Sequence, residues 1–316
     1  LEFRRVLFRS CMSDIQLFCY GKNGVSELPG KSAAIEKDLQ KLIESHMEAF
    51  LGVRFLATEY STGKTHKGRI DSLGLDENNT PVIIEYKRQS NENVINQGLF
   101  YLDWLLDHQA EFRWLVMDKF GKQVADDIDW SNARVICIAA DFTKYDEHAV
   151  AQINRNINLI RYKLFNPDLL MFELVNAATE THKPQPVAIE NQVPKQKKNA
   201  QRYRLDKSSP ELVALYQNIC DFADSLGDEV QRKELLLYTA FQKIKNFLSV
   251  VIWPTAKEPH VKLYLKLKPE QVIISDIVRD VTNLGHWGTG DIEVVVHNQA
   301  DLAKAKLLIE QAYQEN

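Results

Sequence analysis

Apolar residues recur at three- and four-residue intervals along residues 32–50, at Ile35, Leu39, Leu42, Ile43, Met47 and Phe50. That spacing predicts an amphipathic helix, closed by Gly52. The period then drops to two. Residues 53–61, 68–75 and 81–88 read as three strands, and the last two are joined by Asp76-Glu-Asn-Asn-Thr80, which is turn composition. An antiparallel meander is therefore expected. Helical spacing returns over residues 91–108 and 109–126. The short apolar run at 134–140 predicts a buried strand, followed by a helix at 145–155 and strands at 159–165 and 169–175. These elements predict a mixed α/β unit.

Periodicity lapses from residue 176 to 209, where Pro184, Pro186 and Pro194 precede and flank the basic residues Lys195, Lys197, Lys198, Arg202 and Arg204. This stretch reads as a flexible linker whose charges could track a phosphate backbone. Beyond Pro210 the pattern predicts helices at 211–226 and 232–241, strands at 247–253, 261–267 and 291–297, and a last helix at 301–313. The expected division is a first domain at 12–176, a basic linker at 177–206 and a small α+β domain at 207–316. Residues 1–11 are set apart, because Leu1 to Ser10 reads as the in-frame translation of a sequencing adapter and Met12 is the natural start.

A chain of 316 residues with 45% hydrophobic content can bury two cores. No apolar run approaches the roughly 18 residues that span a bilayer, so no membrane partner is expected. The four cysteines, Cys11, Cys19, Cys137 and Cys220, lack metal-ligand spacing and fit a reducing, cytoplasmic setting. A formal net charge of -4 argues against a protein that coats DNA, but not against an enzyme with a local basic channel.

Within the meander, Asp71 sits on one strand, and Glu85 and Lys87 sit two apart on the next, inside the apolar run Val82-Ile-Ile-Glu-Tyr-Lys. Ionised groups in a buried strand need a pairing partner or a metal. Alternation places Glu85 and Lys87 on one face and Val82, Ile84 and Tyr86 on the other. Asp71 joins the first face only if the hairpin is centred near Asn78 or Asn79 in the right register. In that register the two carboxylates and the Tyr86 carbonyl suit a hard cation such as Mg²⁺, with Lys87 beside them. On a surface hairpin the same three residues would be a cross-strand ion pair of small value.

Asp71…Glu85-x-Lys87 resembles the PD-(D/E)XK nuclease superfamily, whose core runs helix, three-strand meander, helix, strand. The order of elements expected from residue 32 to 140 is the same. Ile70 stands where the name-giving proline would be. In related resolvases and archaeal-type endonucleases a glutamate early on the first helix joins the metal cluster, and Glu36 holds the matching position, with Glu44 as runner-up. In RecB-like members the helix after the lysine strand carries Gln-x-x-x-Tyr, matched here by Gln97 and Tyr101, with Trp104 and His108 continuing that face.

The resemblance implies a restriction-endonuclease-like core and metal-dependent hydrolysis of phosphodiester bonds, in DNA repair, recombination or defence. Asp71, Glu85 and Glu36 would hold Mg²⁺, with Mn²⁺ as a substitute. Lys87 would be the catalytic lysine, and Gln97 and Tyr101 would orient substrate. Lys64, His66, Lys67, Arg69 and Arg88 form an expected basic rim for nucleic acid, DNA being the partner the resemblance implies. A homodimer is compatible with it. The alternative is a non-catalytic nucleic-acid-binding or scaffold protein on the same fold.

The segment from residue 205 onward resembles a bacterial domain of unknown function found behind such nuclease-like domains and sometimes catalogued as a transport protein. The stretches that carry the resemblance are Phe222-Ala-Asp-Ser-Leu-Gly227, Lys245-Asn-Phe247, Leu263-Tyr-Leu-Lys-Leu267 and Gly285-His-Trp-Gly-Thr-Gly-Asp291. With no membrane span, transport has no physical basis. Lys243, Lys245, Lys262, Lys266 and Trp287 are a candidate nucleic-acid face.

Overall fold

A computed structural model describes residues 15–21, 24–33, 36–63, 67–88, 93–165, 168–175, 200–286 and 288–316. In chain order its first part contains β1 (Leu17–Gly21), β2 (Gly24–Leu28), β3 (Gly30–Lys31), α1 (Glu36–Ser45), α2 (Met47–Leu51), β4 (Val53–Ser61), β5 (Arg69–Asp76), β6 (Pro81–Lys87), α3 (Asn93–Asp107), α4 (Gln109–Phe120), α5 (Lys122–Asp126), β7 (Arg134–Ala139), α6 (Lys144–Gln152), β8 (Asn156–Phe165) and β9 (Leu169–Leu174). The second part contains α7 (Gln201–Asp206), α8 (Pro210–Asp224), β10 (Gln231–Glu234), β11 (Thr239–Gln242), β12 (Asn246–Trp253), β13 (His260–Leu265), β14 (Val278–Asp280), β15 (Ile292–Val296) and α9 (Gln299–Glu315). Among the described residues no helix is long and apolar enough to cross a membrane.

The mixed α/β class expected from the sequence is observed. A seven-stranded sheet runs β3-β8-β7-β6-β5-β4, with β9 paired to β8, and a six-stranded sheet runs β10-β11-β12-β13-β15-β14. In the first sheet β6, β7 and β8 are parallel, while β4, β5 and β6 form the expected antiparallel meander. Strands β6 and β7 are covered on both faces, which is why they read as continuous apolar runs. On one face Leu39, Ile43, Met47 and Leu51 of α1 and α2 pack against Val82, Ile84, Tyr86 and Ile138. On the other, Ile95, Leu102 and Leu105 of α3 and Phe112 of α4 pack against Leu73, Leu75, Ile83 and Val135. Burial of each large side chain contributes about 1.5–3 kcal/mol, so both helical layers hold the central strands firmly.

Several expectations are corrected. The helix expected over 32–50 breaks at His46 into α1 and α2, and α2 closes at Gly52, whose left-handed backbone (φ 64°) lets its N–H donate to the Glu48 carbonyl at 2.9 Å. Residues 232–241 were expected to be helical from the run Glu-Leu-Leu-Leu, but they form the hairpin β10–β11. Pairing of β11 along β12 and burial of Thr239 and Phe241 override the local helix propensity. The expected linker ends early. Gln201–Asp206 is a helix, and buried Arg204 donates to the Leu237 carbonyl rather than standing free. The rest of the linker from 176 to 199, the segment 1–14, Ile35, Lys64, His66 and Trp287 lie outside the described residues.

Candidate active site

The β5–β6 hairpin pairs Leu75 with Pro81, Gly74 with Val82, Leu73 with Ile83 and Ser72 with Ile84, so it is centred on residue 78. This is the register in which Asp71 and Glu85 share a face. The strands interlock there: the Asp71 N–H donates to Glu85 Oε1 at 3.2 Å, and the Tyr86 N–H donates to Asp71 Oδ2 at 3.1 Å. Glu85 is fully buried, and its Oε2 has no hydrogen-bond partner among the described residues.

Burial dominates the electrostatics of the pair. It pushes Glu85 up to about 9, with the negative charge of Asp71 adding to the effect. Burial also raises Asp71, helped by the charges of Glu36 and Glu59, while the Tyr86 N–H and Lys87 oppose the rise. Two carboxyls so close cannot both ionise without compensation, so in the cation-free chain they titrate as a coupled pair that holds a proton near neutrality. A divalent cation would provide that compensation. Two adjacent carboxyls of this kind fit a hard cation.

Glu36 opens α1, and its carboxylate turns to the neighbouring positive groups. Glu36 Oε1 accepts from Lys87 Nζ at 3.4 Å and Oε2 from the Arg88 N–H at 3.2 Å. Among the described residues no three His, Cys, Asp or Glu side chains form a metal-binding group, so the expected three-carboxylate cluster is not assembled. Glu36 is instead paired with Lys87. Glu44, the runner-up, is engaged elsewhere: its Oε1 accepts from Gln40 Nε2 at 2.9 Å and Ser72 Oγ at 2.6 Å.

Gln97 Nε2 donates to the Tyr101 hydroxyl at 3.2 Å, and the same oxygen accepts from the Arg69 N–H at 3.1 Å. Tyr101 packs on Gly68, where a Cβ would lie 2.5 Å from Tyr101 Cε1, so glycine is required for this close approach. The pair thus secures the start of β5, two residues before Asp71. Trp104, buried in the same core cluster as Tyr101, stacks on His108 with ring centroids 4.5 Å apart. Lys67 and Arg88 are exposed, and Arg69 is exposed but ion-paired with Glu59.

Two contributors were missed by sequence reasoning. An irregularity in the β4–β5 register between Phe55 and Ala57 shifts the later pairs, so Thr58 faces Ser72 and Tyr60 faces Ile70. Glu59 is thereby set beside Asp71, with its backbone at φ 52° and its carboxylate held by Lys37 and Arg69. The second is Gln40, buried on α1, which donates to the Asp71 carbonyl at 2.8 Å and Thr58 Oγ1 at 3.2 Å. Helical spacing could have flagged Gln40 as a polar residue on the buried face; nothing local marks the bulge.

The lysines expected to form a nucleic-acid face on the second part are engaged instead. Lys243 Nζ donates to the Tyr313 carbonyl at 2.6 Å, Lys262 pairs with Glu293 at 3.3 Å, and Lys245 and Lys266 reach across to Ala49 and Glu77 of the first part.

Residues 203–316 match the model of a domain of unknown function, DUF5655. An uncharacterized protein of Haemophilus influenzae is 27% identical over 311 residues, covering 94% of this chain and 99% of that protein. Among solved structures, the chain is similar to a repair endonuclease from Pyrococcus abyssi at 18% identity and a TM-score of 0.28, over 43% of this chain and 51% of that one. It is also similar to a structure of EndoMS in complex with double-stranded DNA, at 17% identity and a TM-score of 0.25, over 42% of this chain and 47% of that one. The chain spans about half the length of these solved structures.

Proposed function

We propose that this chain is a divalent-metal-dependent nuclease that hydrolyses phosphodiester bonds in DNA, with a restriction-endonuclease-like core followed by a separate α+β domain. The observation that carries the reading is the interlocked pair Asp71–Glu85, fully buried at Glu85, with one carboxylate oxygen unsatisfied and Lys87 on the same face.

Asp71 and Glu85 would hold Mg²⁺ or Mn²⁺, with Glu36 as the auxiliary ligand once it leaves Lys87. When bound, the cation activates water for attack and offsets charge on the phosphate. The chain's own groups do the rest. The N–H groups of Asp71 and Tyr86 fix one oxygen of each carboxylate, which orients the acids without side-chain rearrangement. Lys87, with 18% of its side chain exposed, donates to phosphate oxygens as negative charge builds on them. Tyr101 and Gln97 keep the start of β5 in place, and Lys67 and Arg88, both exposed, would be available to phosphate oxygens.

A second reading, a nucleic-acid-binding or scaffold protein without catalysis, draws on the Lys87–Glu36 pair, which offsets the charge of the lysine. The deciding experiment is a cleavage assay on duplex, nicked, flapped, mismatched and branched DNA with Mg²⁺ or Mn²⁺, comparing the wild type with Asp71→Ala. Metal-dependent cleavage lost in the variant supports the nuclease. DNA binding without cleavage in any arm supports the second reading.

A further inference from the structure

The hairpin that carries the acids ends in a turn that is not left to solvent. Asp76 Oδ1 accepts from the N–H groups of Asn78 and Thr80 at 2.8 and 3.0 Å, which folds the turn on itself. Its apex is then held by the second part of the chain. Asn78, buried, exchanges two amide hydrogen bonds with Asn246 at the start of β12: Asn246 Nδ2 to Asn78 Oδ1 at 2.6 Å, and Asn78 Nδ2 to Asn246 Oδ1 at 3.3 Å. The Tyr238 hydroxyl donates to the same Asn78 oxygen at 3.0 Å. One residue earlier, Glu77 accepts from the Asn246 N–H at 2.9 Å and pairs with Lys266.

Behind this contact, Asp76 and Arg134 form a buried pair at 3.4 Å. The Lys233 amine of β10 is enclosed beside them with no hydrogen-bond partner among the described residues. Burial, with the charge of Arg134 adding to it, lowers Lys233 to about 7, so this amine is a cost carried by the contact and the holding is done by the Asn78, Asn246, Tyr238, Glu77 and Lys266 groups.

Residue 78 is the centre of the hairpin, and this makes the contact consequential. The turn offers two local solutions. Asn78-Asn79 suits a two-residue hairpin loop, since asparagine accepts the left-handed backbone such loops require, and Asn79 already has φ 57°. A two-residue loop would recentre the hairpin by half a residue, pairing Asp71 with Tyr86 and turning Glu85 to the opposite face. In the observed register Asn78 lies at the apex, and only there does its amide meet Asn246 and Tyr238. Asn78 is seven residues from each acid; β5 ends five residues past Asp71 and β6 begins four residues before Glu85, roughly 13–17 Å along the strands.

We propose that the second part of the chain is a clamp on the β5–β6 turn that selects the register in which Asp71 faces Glu85, with Asn246 and Tyr238 as positioning residues. This gives the domain of unknown function a role in assembling the site of the first part. The kinetic consequence rests on the nuclease reading; the structural one does not.

The test uses the full chain with Asn246→Ala and, as the milder change, Tyr238→Phe, which removes one hydroxyl. Amide hydrogen exchange is followed over 69–76 and 81–87, with 134–139 and 156–161 as internal reference. The clamp requires exchange at the acid-bearing ends of both strands, 69–73 and 84–87, to rise at least tenfold in Asn246→Ala and measurably in Tyr238→Phe, while the reference strands stay protected. Where the wild type cleaves DNA, kcat falls at least tenfold in Asn246→Ala with KM unchanged. Exchange that stays unchanged, or rises only within 76–80, overturns the clamp even if the wild type is a nuclease. A wild type that fails to cleave overturns the nuclease reading, and the exchange result then still decides the clamp. Collapse of Asn246→Ala with wild-type exchange in Tyr238→Phe also counts against it.

Discussion

The Asp71 N–H donates to the carboxylate of Glu85, its partner across the hairpin, at 3.2 Å, so the backbone of one acid orients the side chain of the other. The two are therefore positioned together or not at all. Their shared burial also dictates how they exchange protons.

The first prediction concerns stability against pH in the presence of chelator. Folded Glu85 keeps its proton up to about 9, whereas its ordinary value is 4.5. Between those values the folded chain binds more protons than the unfolded chain, so the contribution of Glu85 is fully present below 4.5 and is lost as pH rises towards 9. The slope is at most about 1.4 kcal/mol per pH unit. Glu85→Gln removes this component and is more stable than wild type at pH 8. Urea unfolding at pH 5, 7 and 9 checks it; identical pH slopes in wild type and variant would refute a protonated buried Glu85.

A cation must displace that proton. Binding of Mn²⁺ or Mg²⁺ is accordingly expected to release protons and to strengthen with pH up to about 9. Titration calorimetry in two buffers of different ionisation enthalpy reads the release directly, without any cleavage. Asp71→Asn and Glu85→Gln should each lower affinity at least tenfold. Binding heats independent of buffer would remove the pair as ligands.

How much of this was legible from residue types alone differs by position. Asp71, Glu85 and Lys87 were readable because charges inside an apolar, alternating strand conflict with burial. The hairpin register was only a condition on that reading, with a centre near Asn78 or Asn79, and the pairing of Ser72 with Ile84 supplies it. Glu59 was not readable, because one extra residue in β4 reverses which side chains face Asp71, and nothing in Ala57-Thr-Glu-Tyr-Ser61 signals it. The hairpin β10–β11 was misread for a related reason: Leu235 to Leu237 favour a helix locally, and only pairing with a distant strand overrules them. The engagement of Lys245 and Lys266 with the first part depends on how two separately patterned segments dock, which no local period encodes.

Lys87 and Glu36 yield a paired prediction. Lys87→Met should reduce cleavage at least a hundredfold with little change in KM, since a donor to the developing phosphate charge acts mainly in the transition state. Glu36→Gln frees Lys87 of its partner, which the two share at 3.4 Å. If Glu36 is the auxiliary ligand, the variant weakens metal affinity and activity together. If Glu36 only neutralises the lysine, DNA affinity rises instead, and steady-state kinetics alongside a binding isotherm separates the two.

Gln40 is the residue through which α1 reaches the centre of the site. Its amide nitrogen has two N–H groups and three acceptors in range: the Asp71 carbonyl at 2.8 Å, Glu44 Oε1 at 2.9 Å and Thr58 Oγ1 at 3.2 Å. Ser72 Oγ extends the same network to Glu44 and to the Tyr86 hydroxyl, so both acid-bearing strands are tied to the helix that begins with Glu36. Gln40→Leu keeps the volume but takes the side-chain donor from the part-buried Asp71 carbonyl and strips Thr58 Oγ1 and Glu44 Oε1 of one partner each, a loss of about 1 kcal/mol or more. The Asp71 carbonyl then has lost its side-chain donor, and β5 loosens at the position that matters for the site. Tyr101→Phe is the comparison: it removes one acceptor from the Arg69 N–H at the rim of the same strand and should cost about 1 kcal/mol. Gln40→Leu is therefore expected to lower both stability and metal affinity more than Tyr101→Phe. Urea unfolding and calorimetry on the two variants provide the comparison, and a Gln40→Leu protein with wild-type stability and affinity would show that the network only fills space.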